Sequence, residues 1–208
     1  MQFMEVLTNR DDFLAATSVV DHHHPTVRLL ARELAFGEND PASVTRRCFE
    51  WARDEIQHSM DFRREELTCN ASAVLARRTG FCYAKSHLLA ALLRANNIPA
   101  GFCYQRLSID GLGPPFSLHG LNAVWSPEFG WYRIDARGNK AGVSAEFAPP
   151  VERLAFAIQH DGEYDLPGVY SAPLPAVVEA LTRYETASQL AANLPDVPKD
   201  IASVSTTI

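Results

Sequence analysis

The sequence predicts a mixed helix-and-strand domain, with helices in its first half and an antiparallel hairpin after them. Three observations carry this. Residues 84–95 are rich in Ala, Leu, Lys and Arg, with no Gly or Pro between them, and these residues lose least on entering a helix. Two strand-like stretches, 118–125 and 131–135, flank the turn Ser126-Pro127-Glu128-Phe129-Gly130, which is a hairpin pattern. The chain has 208 residues, 47% of them hydrophobic and 21% charged, as an ordinary globular domain does. One domain is expected over residues 1–195, with its core at about 40–139 and a flexible tail at 196–208.

Taken in order, Met1 to Val6 alternates weakly and suits a first strand. His22, His23 and His24 precede Pro25. Adjacent side chains diverge in either regular structure, so a polar turn with Pro25 at the start of a helix is the expectation rather than a metal site. Residues 26–35 form that helix, with Val27, Leu30 and Leu34 on one face. Asp40-Pro41 is an N-cap followed by Pro at the first position, opening a helix to about His58 with Cys48 in its core face. A short helix follows at 73–77, capped by Ser72 or Asn70.

The long helix starts at Cys82. Leu88, Leu89, Leu92 and Leu93 form its apolar stripe, and Asn96-Asn97-Ile98-Pro99 ends it. Residues 100–107 suit a strand, and the Gly/Pro-rich stretch 109–115 a loop. Beyond the hairpin, 151–158 is expected as an edge strand, 176–193 as one helix, and 194–208 as a loose end.

Composition excludes several classes. A net charge of -6, with no Lys/Arg run, argues against a nucleic-acid footprint. No apolar stretch is long enough to span a membrane, and the start lacks a signal-peptide pattern. Cys48, Cys69, Cys82 and Cys103 form no CxxC pair. No disulfide framework, zinc cluster, metal or cofactor is therefore expected, and the chain is assigned to the cytoplasm.

The chemistry centres on three residues. Cys82 sits in the first turn of its helix, where free N–H groups and the helix dipole favour a thiolate. It is either a nucleophile or a small buried hydrophobe. The five-residue turn pairs Trp125 with Trp131 and puts Leu121 opposite Asp135. His119 is then diagonal to Asp135 on one face, about 7–8 Å away by Cα. The pair is either the base and orienting acid of a Cys-His-Asp triad or a surface ion pair. His58 stands at a helix end, where the dipole would favour its cation. It borders a site or simply caps the surface.

The order of these pieces resembles the transglutaminase-like superfamily. Thr79-Gly80-Phe81-Cys82-Tyr83-Ala84-Lys85-Ser86 and the helix to Ile98-Pro99-Ala100 are similar to its nucleophile motif. His119-Gly120-Leu121-Asn122-Ala123-Val124-Trp125 resembles its histidine strand, and Gly130-Trp131-Tyr132-Arg133-Ile134-Asp135 its aspartate strand. Phe49-Glu50-Trp51-Ala52-Arg53-Asp54-Glu55-Ile56 resembles the helix before that core. The resemblance covers residues 40–139. It implies an α+β papain-like core, with the cysteine at the N-terminus of a central helix packed on an antiparallel sheet that carries the histidine and aspartate.

It also implies thiol chemistry on amide bonds through Cys82, His119 and Asp135 and a thioester, ending in hydrolysis or transfer to an amine. The compact form resembles bacterial-type proteases and amidases, and calcium control is not implied. The Cys82 backbone N–H is one oxyanion donor. In the superfamily a second comes from a side chain upstream of the cysteine, for which His58 and Trp51 are candidates. The substrate would be a peptide, a protein or a small amide. Two other readings compete: an arylamine-type acyltransferase with a similar triad, and a non-catalytic peptide-binding domain with a relic triad.

Overall fold

The computed structural model describes residues 9–198, so the strand expected at 1–6 lies outside the described residues. Helix α1 (Pro25–Ala35) is capped by His24, whose Nδ1 accepts from the Thr26 N–H at 3.4 Å. Helix α2 (Pro41–Glu55) is capped by Asp40, which accepts from the Ser43 N–H at 2.9 Å. It stops three residues earlier than expected. Ile56 is extended, and Gln57–His58 form a short strand β1.

Helix α3 (Ala71–Arg77) starts two residues early. Neither Asn70 nor Ser72 caps it by itself. Asp21, from far back in the chain, accepts from the Ser72 N–H at 3.0 Å. Strand β2 (Thr79–Gly80) then pairs in parallel with β1.

Helix α4 (Cys82–Ala95) has the expected bounds but not the expected single stripe. Every residue from Cys82 to Arg94 is buried. The helix packs against α1, α2 and α3 and against the sheet, so it has no solvent face. Its polar residues bond to backbone carbonyls, although His87 Nε2 is left without a partner. Lys85 Nζ donates to Arg53 O and Ile56 O, His87 Nδ1 meets Cys69 O at 2.8 Å, and Arg94 donates to Ala15, Ala100 and Ser171 oxygens. Buried polar groups persist only with such partners. Asn97, at φ 59°, makes the left-handed exit.

Strands β3 (Ala100–Ser108), β4 (Phe116–Ser126), β5 (Gly130–Ile134) and β6 (Tyr164–Asp165) form one antiparallel sheet in the order β5-β4-β3-β6. The hairpin register is the expected one, with Trp125 opposite Trp131. Asn122 ties this sheet to α4, its Nδ2 donating to Ser86 O at 3.0 Å and Gly101 O at 3.1 Å.

The last third differs from expectation. Residues 151–158 make one isolated bridge, Arg153 to Glu146, rather than an edge strand. Side chains satisfy their backbone instead: Tyr132 Oη donates to Val151 O at 2.9 Å, and Asp135 accepts from the Ala155 N–H at 3.1 Å. The single helix expected at 176–193 is two, α5 (Pro175–Arg183) and α6 (Ala187–Ala191). Thr186 caps the second, and Glu65 accepts from the Ser188 N–H and Oγ. That competing start breaks the run. Of the expected tail, Asp196 pairs with Arg106 at 2.6 Å and Val197 O accepts from Tyr164 Oη at 2.5 Å. Residues 199–208 lie outside the described part.

Candidate active site

The position of the candidate nucleophile, Cys82, follows from the β1–β2 pairing. His58 lies opposite Gly80, two residues before Cys82. Gly80 allows a tight approach, since a Cβ there would stand 3.0 Å from Ala84 Cβ and 3.1 Å from Thr68 Oγ1. Cys82 is the first residue of α4. Its N–H therefore has no intrahelical acceptor, and no other backbone group among the described residues takes it.

The histidine comes in over an open flank of β4. Strand β5 ends at Ile134, so β4 has lost its β5 partner by the time it reaches His119. Gly120 completes the approach. A Cβ on it would meet Tyr83 Cδ1 at 2.8 Å and Tyr83 Cα at 3.3 Å. Tyr83 Oη donates to Leu118 O. The residues after the nucleophile and after the histidine are thus packed face to face, which places Cys82 beside His119.

His119 Nε2 bonds Asp135 Oδ2 at 2.7 Å, and the Cys82 side chain interacts with the same ring. Asp135 also accepts from the Arg137 N–H at 3.1 Å and the Ala155 N–H at 3.1 Å. The Phe156 ring meets His119 edge to face at 5.0 Å. The three residues are 8%, 6% and 0% exposed for Cys82, His119 and Asp135. Burial by itself would lower the affinity of His119 for a proton. The charges of Asp135 and Cys82 and the bonds to both outweigh it and lift the ring to about 10. Burial would raise Asp135, but the His119 charge and the bonds it accepts hold it below the usual carboxylate value.

The two upstream candidates part company. Trp51 lies under the Arg78 guanidinium, 4.7 Å from ring centre to carbon, and none of its described contacts is with Cys82, His119 or Asp135. His58 packs edge to face on Phe81, the residue before Cys82, at 5.8 Å. It is not the helix-end cation expected from the sequence. It lies in β1, and burial together with the charge of Arg137 presses it down to about 3, against the pull of Asp61. The other three cysteines are buried or half-buried, and burial pushes Cys48 and Cys103 up to about 12 and Cys69 to about 11.

Residues 28–136 match the family described as the transglutaminase-like superfamily. That segment is more than half of the chain and holds Cys82, His119 and Asp135. The chain belongs to this superfamily. Its papain-like α+β core carries the cysteine at the start of α4 and the histidine and aspartate on the antiparallel hairpin.

Among solved structures, this superfamily member is similar to a candidate cysteine protease from Cytophaga hutchinsonii, at 21% identity and a TM-score of 0.49 over 64% of this chain and 44% of that one. It is similar to the periplasmic domain of TgpA from Pseudomonas aeruginosa, at 22% identity and a TM-score of 0.46 over 61% and 48%. A TGase is matched at 17% identity and a TM-score of 0.39 over 77% and 41%. The chain thus spans under half the length of each of these structures. No curated protein sequence matches it. No helix among the described residues is long and apolar enough to cross a membrane.

Sequence reasoning missed four groups at this site: Asp61, Arg137, Ala155 and Phe156. Asp61 and Arg137 follow His58 and Asp135 by three and two residues, and an Asp and an Arg so close to candidate residues were the available signal. Nothing local marks Ala155 or Phe156.

Proposed function

We propose that the protein is a thiol-dependent acyl hydrolase or acyltransferase acting on amide bonds, of the protease or amidase kind. The observation that carries this is the buried His119–Asp135 pair, 2.7 Å apart, beside the thiol at the start of α4. A buried ion pair is costly to maintain unless fully hydrogen-bonded, and this one is. The Asp135 carboxylate bonded to His119 favours a protonated ring beside the thiol, and a thiolate–imidazolium pair is the resting nucleophile of this proposal.

In the proposed reaction the Cys82 sulfur attacks the amide carbon, and the carbonyl oxygen becomes an oxyanion. The Cys82 N–H and a ring N–H of His58 face that oxygen. Because Nε2 of His119 is held by Asp135, Nδ1 delivers its proton to the leaving amine as the C–N bond breaks. A thioester remains. Water, or an acceptor amine, then attacks it while His119 takes a proton, and the C–S bond breaks to restore the thiolate. Asp135 keeps the ring oriented and stabilises its cation throughout.

Peptides, proteins and small amides are the substrate classes this chemistry takes. Four free cysteines support a reducing compartment, the cytoplasm. A second reading, a peptide-binding domain with a relic triad, draws on the covering of all three residues.

The two readings separate when the protein is incubated with a peptide mixture, with and without a primary amine, and products are read by mass spectrometry. The proposal predicts new peptide ends, deamidated side chains or amine adducts, all absent with Cys82→Ala. Products that survive Cys82→Ala reject it.

A further inference from the structure

His119 interacts with Cys82 and His58 packs on the preceding residue, Phe81, and the proposed chemistry needs one of these two rings charged. His58 is more than nine-tenths buried, and its Nδ1 has no hydrogen-bond partner. Asp61 Oδ2 lies 3.7 Å from that atom. A carboxylate so near would ordinarily draw a proton onto the ring.

Asp61 is already committed. It accepts from both terminal nitrogens of Arg137, at 2.5 and 3.1 Å, and from Lys140 Nζ at 2.6 Å. Arg137 is 8% exposed, and its placement is over-determined. Its backbone N–H donates to Asp135 Oδ1 at 3.1 Å, and its guanidinium carbon stands 5.6 Å from the Phe156 ring that abuts His119. One residue therefore joins the aspartate of the triad, the wall of the catalytic ring and the carboxylate facing His58. It falls one position beyond the segment that matches the superfamily.

We propose that Arg137 is a positioning residue of this site: by taking the Asp61 carboxylate it keeps the His58 ring uncharged and seated on Phe81, the residue before Cys82, so that His119 is the one imidazolium at the nucleophile. The inference rests on the reading of Cys82 and His119 given above. The charged groups facing His58 come from every side: Asp61 on its own segment, Arg137 after β5, Lys85 from α4 and His119 from β4. All but Asp61 are cationic groups that oppose a proton on the ring.

The test is a titration of the histidine ring nitrogens by NMR in the full chain, with His58 assigned by loss of its signals in His58→Gln. In the native protein His58 stays neutral through the weakly acid range, in keeping with its value of about 3. Arg137→Met leaves Asp61 to Lys140 alone and removes the guanidinium charge that opposes a proton on the ring, and His58 is expected to titrate at least about one pH unit higher. Adding Asp61→Asn to that variant returns it downward. Arg137→Lys keeps the charge and the native titration.

An unchanged His58 titration in a folded Arg137→Met protein overturns the inference, as does a shift of equal size in Arg137→Lys. Should Arg137→Met not fold, the double variant and Arg137→Lys decide: in the double variant a ring titrating well above the native one, though both charges are gone, contradicts the account. Failure of the catalytic reading shows elsewhere, as Cys82 alkylation that ignores His119→Ala, and leaves the His58 titration untouched.

Discussion

Strands β4 and β1 each bring a buried histidine to the start of α4, His119 to Cys82 and His58 to Phe81, and they differ in who owns the nearby carboxylate. On the β4–β5 flank, Asp135 is bonded to His119 itself and is steadied by two backbone N–H groups. On the β1 flank, Asp61 belongs to Arg137 and Lys140, and His58 is left without a partner at Nδ1. Burial disfavours the charged ring in both places. The ownership of the carboxylate separates them, with Cys82 adding to the rise of the first ring and the Arg137 charge opposing a proton on the second, and the rings end at about 10 and about 3. Near-identical depth therefore gives opposite charge.

Asp135→Asn breaks this contrast most severely. It removes the larger of the two charges that raise His119 and leaves an amide NH2 facing groups that donate. Turnover should fall about 10⁴-fold, the size known for the orienting aspartate of a serine-protease triad. The sign of the pH effect follows. A ring raised above its unfolded value of 6.5 keeps its full contribution to stability below that value and loses it as pH rises toward about 10. Without Asp135 the folded value drops, so the alkaline limb of turnover moves to lower pH. A pH–rate profile of any substrate found checks both. A limb that stays in place would mean that Asp135 does not govern the ring.

Gly120→Ala sharpens the comparison with a smaller effect, because it acts at the contact of β4 with Tyr83, on the His119 side. The new Cβ would press on the backbone of Tyr83 as well as on its ring, so α4 must shift away from β4. Overpacking of this kind costs about 1–3 kcal/mol. Cys82 alkylation should slow while the His58 titration stays native. Denaturant melts and labelling rates measure the two effects.

How much of this was legible in the sequence depends on how local the cause is. The bounds of α4 follow from its own helix formers and from Asn97, and the hairpin register follows from a five-residue turn. The meeting of His119 and Asp135 could therefore be placed in advance. Strand β1 could not: its pairing joins Gln57 and His58 to Thr79 and Gly80, and two-residue parallel pairs leave no periodicity to detect. This put His58 in a helix end where it does not lie. The Asp61–Arg137 bond spans most of the core, and Ala155 reaches Asp135 from a segment without regular structure. The break between α5 and α6 depends on Glu65, far away in the chain. Such partners are chosen by the folded shape, and neighbouring residues carry no sign of them.

The central claim is that Cys82 and His119 form a reactive pair, and alkylation tests it most directly. Each cysteine is labelled with iodoacetamide across pH and quantified by peptide mass spectrometry. Cys48, Cys69 and Cys103, pushed up to about 11 or 12 by burial, provide the internal reference. The account predicts that Cys82 labels far faster than these three at neutral pH, and that His119→Ala abolishes the difference. Labelling of Cys82 at the rate of the other three, or a fast rate that survives His119→Ala, would contradict it.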